Sequence, residues 1–91
     1  MMSASTIAMW THGRLHGADA KVTGVVIDTR RVKPGDLFVA IKGDRVDGHD
    51  YLADAAARGA VAAMVTHKLE HDLPQIVVDD SALALGDLAS A

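Results

Sequence analysis

The stretch Val26–Tyr51, VIDTRRVKPGDLFVAIKGDRVDGHDY, decides the fold of this chain. β-branched residues lead into it, and Val22–Ile27 therefore predicts a strand. Lys33–Asp36 places Pro and Gly at the two central positions of a type II turn. The apolar run Leu37–Ile41 predicts a second strand, buried on both faces. A polar loop then leads to His49–Arg58, where apolar residues recur at helical spacing.

Helices and strands alternate on both sides of this stretch. Ser5–His12 predicts a short amphipathic helix, and Ala60–Val65 and Gln75–Val78 predict two further core strands. Ser81–Ala91 predicts a last helix with Ser81 as its N-cap. Because strands that alternate with helices favour parallel pairing, the sequence predicts an α/β fold, a small mixed sheet flanked by helices.

Composition limits the class of protein. The 91 residues suffice for one domain, residues 1–91, and 49% hydrophobic content argues against disorder. A net charge of −3 argues against nucleic acid as a partner, and the lack of cysteine excludes disulfides, zinc–thiolate sites and thiol catalysis. The single tryptophan, Trp10, is expected to pack in the core or against another domain.

Targeting signals are not evident in the sequence. It contains no apolar run of ~18 residues and no signal peptide, so we expect a cytoplasmic protein with no membrane partner. The last helix carries no C-terminal stop signal, so we expect one domain cut from a longer protein.

No catalytic constellation stands out. The phosphate loop GxxxxGK[ST], the dinucleotide motif GxGxxG and the nucleophile elbow GxSxG are all missing from the sequence. His12/His16 and His67/His71 have the spacing of helical metal ligands. Gly13 makes the first pair a poor helix and the second pair has no third ligand, so we favour solvated histidines and predict no metal site.

Polar residues follow two of the predicted strands, at the edge where open α/β sheets bind ligands. The hydroxyl of Thr29 suits a uracil edge or a sugar, and Gly43 lets backbone amides approach a ligand closely. The cationic side chains nearby favour a phosphate or pyrophosphate. The candidates are Asp28, Thr29, Arg30, Arg31, Lys42, Gly43, Asp44 and Arg45.

The same residues have a purely structural interpretation. Asp28 and Arg30 can pair with each other or cap a turn, while Lys42 and Arg45 can be solvated loop charges. Asp47–Asp50 reads more simply as the entry to a helix. From the spacing alone, the structural interpretation is favoured.

An ordered, multi-part motif runs through the decisive stretch. D-[ST]-R begins at Asp28, P-G-x-L-F-V-A begins at Pro34, and x-G-x-x-x-D-G-H-[DE]-[FY] ends at Tyr51, followed by an alanine-rich helix that ends in Gly-Ala. Over about Ile7–Ala89 the chain resembles the N-terminal domain of the Mur ligases. The resemblance implies the small mixed α/β fold of that domain.

The resemblance also implies a division of labour. Mur ligases have an N-terminal domain that holds the UDP end of the substrate, a central ATPase and a C-terminal domain for the incoming amino acid or dipeptide. ATP and Mg²⁺ convert the substrate carboxylate to an acyl phosphate. On this reading the 91 residues bind no cofactor, contribute no catalytic residue, and are inactive without their own central and C-terminal domains.

Site residues carry over position by position. Thr29 stands at the hydroxyl position that lies close to the uridine in related ligases, and Asp28 and Arg30 complete that motif. Asp44, Arg45 and Val46 align with a loop that contacts uridine diphosphate, although its side chains differ here. The resemblance therefore implies a UDP site whose safest contacts are backbone groups from Gly43 to Val46; the residues are Asp28, Thr29, Arg30, Lys42, Gly43, Asp44, Arg45 and Val46.

Within the family, the resemblance points to the ligase that adds D-alanyl-D-alanine to UDP-N-acetylmuramoyl-tripeptide. Its features here are Leu15–Gly17, Asp47–Asp50 and Leu73–Val78. The sister ligase that adds the third peptide residue shares the first two motif parts and is the alternative. A free-standing nucleotide-binding module is a further alternative.

Overall fold

The computed structural model describes residues 2–90, with side chains described through Leu88. Within these residues the chain forms seven strands and three α-helices, with 3₁₀ turns at Thr29–Arg31 and Gly48–Tyr51. The strands are β1 (Met2–Ser3), β2 (Arg14–His16), β3 (Lys21–Val22), β4 (Gly24–Val26), β5 (Asp36–Val39), β6 (Ala62–Val65) and β7 (Gln75–Val77). The helices are α1 (Ala4–Trp10), α2 (Leu52–Ala57) and α3 (Ser81–Ser90).

A five-stranded mixed sheet forms the centre, in the order β2-β7-β6-β5-β4. The pairs β4–β5, β5–β6 and β6–β7 are parallel, and β2 is antiparallel to β7. A separate two-stranded sheet joins β1 and β3 in antiparallel register. The predicted fold class, a small mixed sheet flanked by helices, is confirmed.

The central strands are buried on both faces, because helices cover the sheet on each side. Leu37 and Val39 of β5 join the cluster under α1 and α3. Phe38 lies between them in sequence, faces the other side and joins the cluster with Leu52 and Ala55 of α2. This alternation is the period-2 geometry of a strand, and it makes β5 and β6 the most deeply buried part of the chain.

The predicted strand Val22–Ile27 is divided in the structure. Lys21–Val22 pairs with the N-terminal residues of β1, whereas Gly24–Val26 joins the central sheet. Between them, the backbone N–H of Thr23 donates to Gly35 O at 2.9 Å, so Thr23 takes part in neither strand pairing. The prediction of one continuous strand was therefore wrong, because its two halves have different partners.

The predicted turn at Lys33–Asp36 is confirmed. Gly35 has φ +95°, a left-handed conformation that glycine adopts without steric cost. The backbone N–H of Asp36 donates to Lys33 O at 3.1 Å. In the other direction, the Lys33 N–H donates to Asp36 Oδ2 at 2.8 Å. This turn fixes where β5 starts beside β4.

The structure departs from the predictions at the N-termini of α2 and α3 and in the placement of Trp10. The segment after Asp47 is a 3₁₀ turn that passes into α2, and Gly59 ends that helix as predicted, at φ +110°. Asp80 caps α3 by accepting the Leu83 N–H at 3.0 Å, so the prediction of Ser81 as the N-cap was wrong. Trp10 is 46% exposed, so the expectation that it lies in this domain's core was also wrong. The predicted end of the last helix at Ala91 lies outside the described residues.

None of the helices within residues 2–90 has the length and apolar character needed to cross a membrane.

Candidate functional site

The turn after β4 is built around one carboxylate. Asp28 Oδ1 accepts the backbone N–H of Arg30 at 2.9 Å and so caps the 3₁₀ turn Thr29–Arg31. The Arg30 guanidinium returns to the same carboxylate, with Nε to Oδ1 at 3.1 Å and Nη2 to Oδ2 at 2.8 Å. Hydrogen bonds from the Arg30 side chain and backbone lower the pKa of Asp28 from its ordinary 3.8 to about 2. The prediction that Asp28 and Arg30 pair with each other and cap a turn is thus confirmed, and Arg30 remains largely exposed.

The loop after β5 is closed by backbone hydrogen bonds. The Gly43 N–H donates to Val46 O at 2.7 Å, and the Gly48 N–H donates to Ile41 O at 2.9 Å. Lys42 and Asp47 face each other in an isolated β-bridge. The loop is therefore a compact turn held at its base, with Asp44 and Arg45 exposed at its tip.

A buried histidine joins the base of this loop to the end of β6. His49 is 6% exposed, and its Nδ1 lies 2.6 Å from Asp47 Oδ1. On the other side of the ring, Nε2 accepts the backbone N–H of Thr66 at 2.9 Å. The ring of His67 stacks on it, with centroids 4.6 Å apart.

A cavity of about 660 Å³ opens between the turn after β4 and the loop after β5. Since the two strands are parallel neighbours, their carboxyl ends meet at one edge of the sheet, where ligands of such sheets bind. The floor includes Phe38, which is itself 1% exposed. The lining residues are Ile27, Asp28, Thr29, Arg30, Phe38, Ile41, Gly43, Val46, Gly48, Tyr51 and Asp54.

Most of the predicted site residues meet in this cavity. Its lining includes Asp28, Thr29 and Arg30 from the turn, and Gly43 and Val46 from the loop. The other four predicted residues, Arg31, Lys42, Asp44 and Arg45, are exposed and do not line it. The loop closes on itself through the Gly43–Val46 hydrogen bond, which leaves Lys42, Asp44 and Arg45 outside the cavity. The structural interpretation of Lys42 and Arg45 as solvated charges fits this placement.

Sequence reasoning missed the apolar and aromatic part of the lining. Tyr51 is 42% exposed, and its place at the end of the motif was a signal that could have found it. Ile27 is 57% exposed, which the sequence does not show. The missed residues are Ile27, Phe38, Ile41, Gly48, Tyr51 and Asp54. The cavity thus combines a hydroxyl, a guanidinium and carboxylates with apolar surface and one phenol ring.

A second cavity of about 490 Å³ runs along the free edge of β4. It shares Arg30 with the first cavity and also includes Arg31, Lys33 and Asp36. Of these, Asp36 is buried and already accepts the Lys33 N–H.

The sequence contains two histidine pairs, His12/His16 and His67/His71, with the spacing of helical metal ligands. In the part of the chain that the structure describes, no group of three or more His, Cys, Asp or Glu is placed to hold a metal ion. His71 Nδ1 accepts the backbone N–H of Leu73 at 3.0 Å, and His67 stacks on His49.

Comparisons with known proteins agree on one family. The model described as "Mur ligase family, catalytic domain" matches residues 21–91. The UDP-N-acetylmuramoyl-tripeptide–D-alanyl-D-alanine ligase of Escherichia coli K12 is 49% identical over 79 residues, which is 87% of this chain and 18% of the relative. The UDP-N-acetylmuramoyl-L-alanyl-D-glutamate–2,6-diaminopimelate ligase of Geobacillus kaustophilus is 42% identical over 82 residues, which is 90% of this chain and 16% of the relative.

A solved structure shows the same fold. The crystal structure of MurF from Acinetobacter baumannii superposes with a TM-score of 0.84 at 30% identity, covering 96% of this chain and 20% of that one. The chain therefore spans about a fifth of the length of the proteins that it matches.

Proposed function

This chain belongs to the Mur ligase family, and we propose that it is the N-terminal domain that holds the uridine diphosphate end of UDP-N-acetylmuramoyl-tripeptide. In this proposal the whole protein is an ATP-dependent ligase of peptidoglycan precursor synthesis that adds D-alanyl-D-alanine. This domain works there together with central and C-terminal domains of the same protein.

One observation carries the proposal: two separate parts of the motif line a single cavity. Thr29 belongs to D-[ST]-R, the first part, whereas Gly43 and Val46 belong to x-G-x-x-x-D-G-H-[DE]-[FY], the third part, and the cavity of about 660 Å³ lies between them. Neither part needs the other for folding of the local turn, because each turn is closed by its own hydrogen bonds. A shared ligand is a reason for both to face one space.

The chemistry of the lining supports a nucleotide. The Thr29 hydroxyl can donate to or accept from a uracil edge or a ribose, and Ile27 and Tyr51 supply apolar surface for a base. The exposed Arg30 guanidinium supplies the positive charge that a diphosphate needs. Gly43 leaves room for close backbone approach.

Binding by this domain alone is expected to be weak. A neutral hydrogen bond contributes only ~0.5–1.5 kcal/mol net and a charged one ~1.5–3. Association itself costs ~4 kcal/mol or more. A few such contacts leave little surplus, so the remaining domains must close over the substrate for tight binding.

ATP and Mg²⁺ do not fit the residues present. The sequence contains no GxxxxGK[ST] loop, and residues 2–90 place no three acidic or histidine side chains together. We therefore assign no step of the ligation to this chain's own residues, and we expect no ligation from the 91 residues alone.

The sister ligase remains the second candidate, because relatives that add diaminopimelate are 40–44% identical to this chain. Both substrates carry UDP, so the cavity serves either assignment. Activity of the whole protein with D-alanyl-D-alanine against diaminopimelate as the added group decides between them.

An amide NMR titration of the 91-residue chain tests the binding proposal. UDP and, in parallel, UDP-N-acetylmuramoyl-tripeptide are expected to give saturable shifts centred on Thr29 and Gly43–Val46. Thr29→Val is expected to weaken the binding of both ligands. Thr23→Val makes the same change at an exposed threonine outside the cavity and is expected to leave their binding unchanged.

A well-dispersed spectrum without shifts at millimolar ligand would contradict a usable site in this domain. Shifts centred elsewhere, for example on the second cavity at Arg31 and Lys33, would move the site. Binding of UDP without any ligase sequence downstream in the gene would favour a free-standing module.

A further inference from the structure

The base of the loop after β5 is tied to the end of β6 by one side chain that does not itself line the cavity. We propose that His49, through its neutral imidazole, is a positioning residue that holds the cavity wall of Gly43, Val46 and Gly48 in place. The identity of the ligand that this wall contacts depends on the function proposed above, whereas the positioning role is argued from the geometry alone.

The hydrogen bonds define which ring nitrogen carries the proton. Because the backbone N–H of Thr66 donates to Nε2 at 2.9 Å, Nε2 must present a lone pair. Nδ1 then carries the hydrogen and donates to Asp47 Oδ1 at 2.6 Å. The partner on each side sets the tautomer of His49.

Asp47 transmits this arrangement to the wall. Its Oδ1 also accepts the backbone N–H of His49 at 3.0 Å, and hydrogen bonds from the His49 backbone and ring lower the pKa of Asp47. The backbones of Asp47 and Lys42 form the isolated β-bridge across the base of the loop. Gly48 follows directly and donates to Ile41 O. A displacement of Asp47 would therefore displace the base of the loop and, with it, the cavity wall of Gly43, Val46 and Gly48.

Burial makes the link specific. The side chain of His49 is 3% exposed, whereas Asp47 keeps 30% of its side chain exposed. A buried polar group that loses its partner is not compensated by water, so the ring holds its two neighbours at fixed distances. Thr66 stands 17 residues further along the chain, at the end of β6, and gives the loop a rigid anchor in the sheet.

Two substitutions separate the two links. In His49→Asn, the shorter amide can reach the position of Nδ1 and keep a donor to Asp47, but it provides no acceptor for Thr66. In His49→Gln, the longer amide reaches the position of Nε2 and can accept from Thr66, but loses the donor to Asp47. His16→Gln, at an exposed histidine on β2, is the matched control.

The measurements are made on the 91-residue chain. Imidazole ¹⁵N shifts report the tautomer of His49, and amide shifts report the position of Gly43–Gly48. UDP titrations report affinity. We expect the Nδ1–H tautomer, displaced Gly43–Gly48 amides in both His49 variants, and a dissociation constant raised about fivefold, as for the loss of one hydrogen bond.

The imidazole ¹⁵N shifts distinguish positioning from a merely structural role, because they report the hydrogen bonds of the ring and not the stability of the fold. His16→Gln should leave the Gly43–Gly48 amides and the affinity for UDP unchanged. An Nε2–H tautomer in the wild type, or unmoved loop amides in both variants, would overturn the proposal.

Failure of the two proposals can be told apart. If UDP does not bind, the proposed function fails, while the tautomer and the loop shifts still decide the role of His49. If a His49 variant does not fold, the tautomer of His49 in the wild type decides it.

Discussion

The two walls of the cavity are held by different kinds of interaction. The turn after β4 depends on the exposed ion pair between Asp28 and Arg30. The loop after β5 depends on backbone hydrogen bonds and on the buried ring of His49. Exposed ion pairs contribute little to stability, whereas buried polar groups are costly to leave unpaired. The first wall can therefore present charge and adjust, while the second offers a fixed backbone surface.

Truncation of Phe38, which lies in the floor of the cavity, should disrupt both walls together. Phe38→Ala deletes the largest fully buried side chain beneath the cavity and is expected to cost ~3–5 kcal/mol of unfolding free energy. Denaturant unfolding measures it. Leu83→Ala, at a residue 68% exposed, is the control and should change stability by less than ~0.5 kcal/mol. A near-neutral Phe38→Ala would contradict its place as the floor.

The rigid wall should tolerate no extra atom at its base. A Cβ at Gly48 would lie 2.7 Å from Ile41 N and 3.0 Å from Ala40 Cα, which are backbone atoms that no rotamer change relieves. Gly48→Ala is expected to cost ~1–3 kcal/mol, measured by denaturant unfolding. The control is Gly86→Ala in α3, where a Cβ meets nothing within 4 Å and should stabilise by ~0.5–1 kcal/mol. Equal effects at both glycines would show that the wall is not rigid.

The same wall has a softer point nearer the ligand. At Gly43 a Cβ would lie 3.2 Å from Val46 O, a tight contact that a small shift relieves. Gly43→Val should therefore reduce stability by less than ~1 kcal/mol but weaken UDP binding, because the side chain fills the approach to the backbone. Thermal unfolding and UDP titration measure the two effects. A mainly thermal effect would make the loop structural.

The adjustable wall should respond only to strong acid. Arg30 depresses the pKa of Asp28 to about 2 from 3.8, so the pairing contributes fully above about pH 4 and is lost as the pH falls through about 2. The effect on global stability is expected to be the smallest of the four, since both groups are at the surface. Carboxyl shifts followed by NMR measure the pKa, and an ordinary value for Asp28 would mean that the pair does not form in solution.

Local signals explain how much of the fold was predictable. The turn at Lys33–Asp36, the buried run that became β5, and Gly59 at the end of α2 are each specified by neighbouring residues. Such features depend on φ preferences and hydrophobic periodicity, which a short window of sequence contains. The division at Thr23 depends instead on Met2–Ser3, so no window around it reveals the break.

The location of the candidate site was predictable from the sequence, but the full set of residues that line it was not. Strand ends pointed to Thr29 and Gly43, because the edge follows from parallel topology. The cationic residues Lys42 and Arg45 were expected to face a phosphate, but the hydrogen bond that closes their loop is set by backbone geometry. The sequence predicts His49 only as the start of a helix, because its partner Thr66 is 17 residues away.

The antiparallel pairing of β2 with β7 has a consequence for the order of folding. Arg14 pairs with Val77, so one edge of the sheet joins residues from opposite ends of the chain. Closing so large a loop costs more entropy than forming the nearer parallel pairs, and such contacts slow folding. A chain emerging from the ribosome must therefore leave β2 without its neighbour in the sheet until β7 has been made.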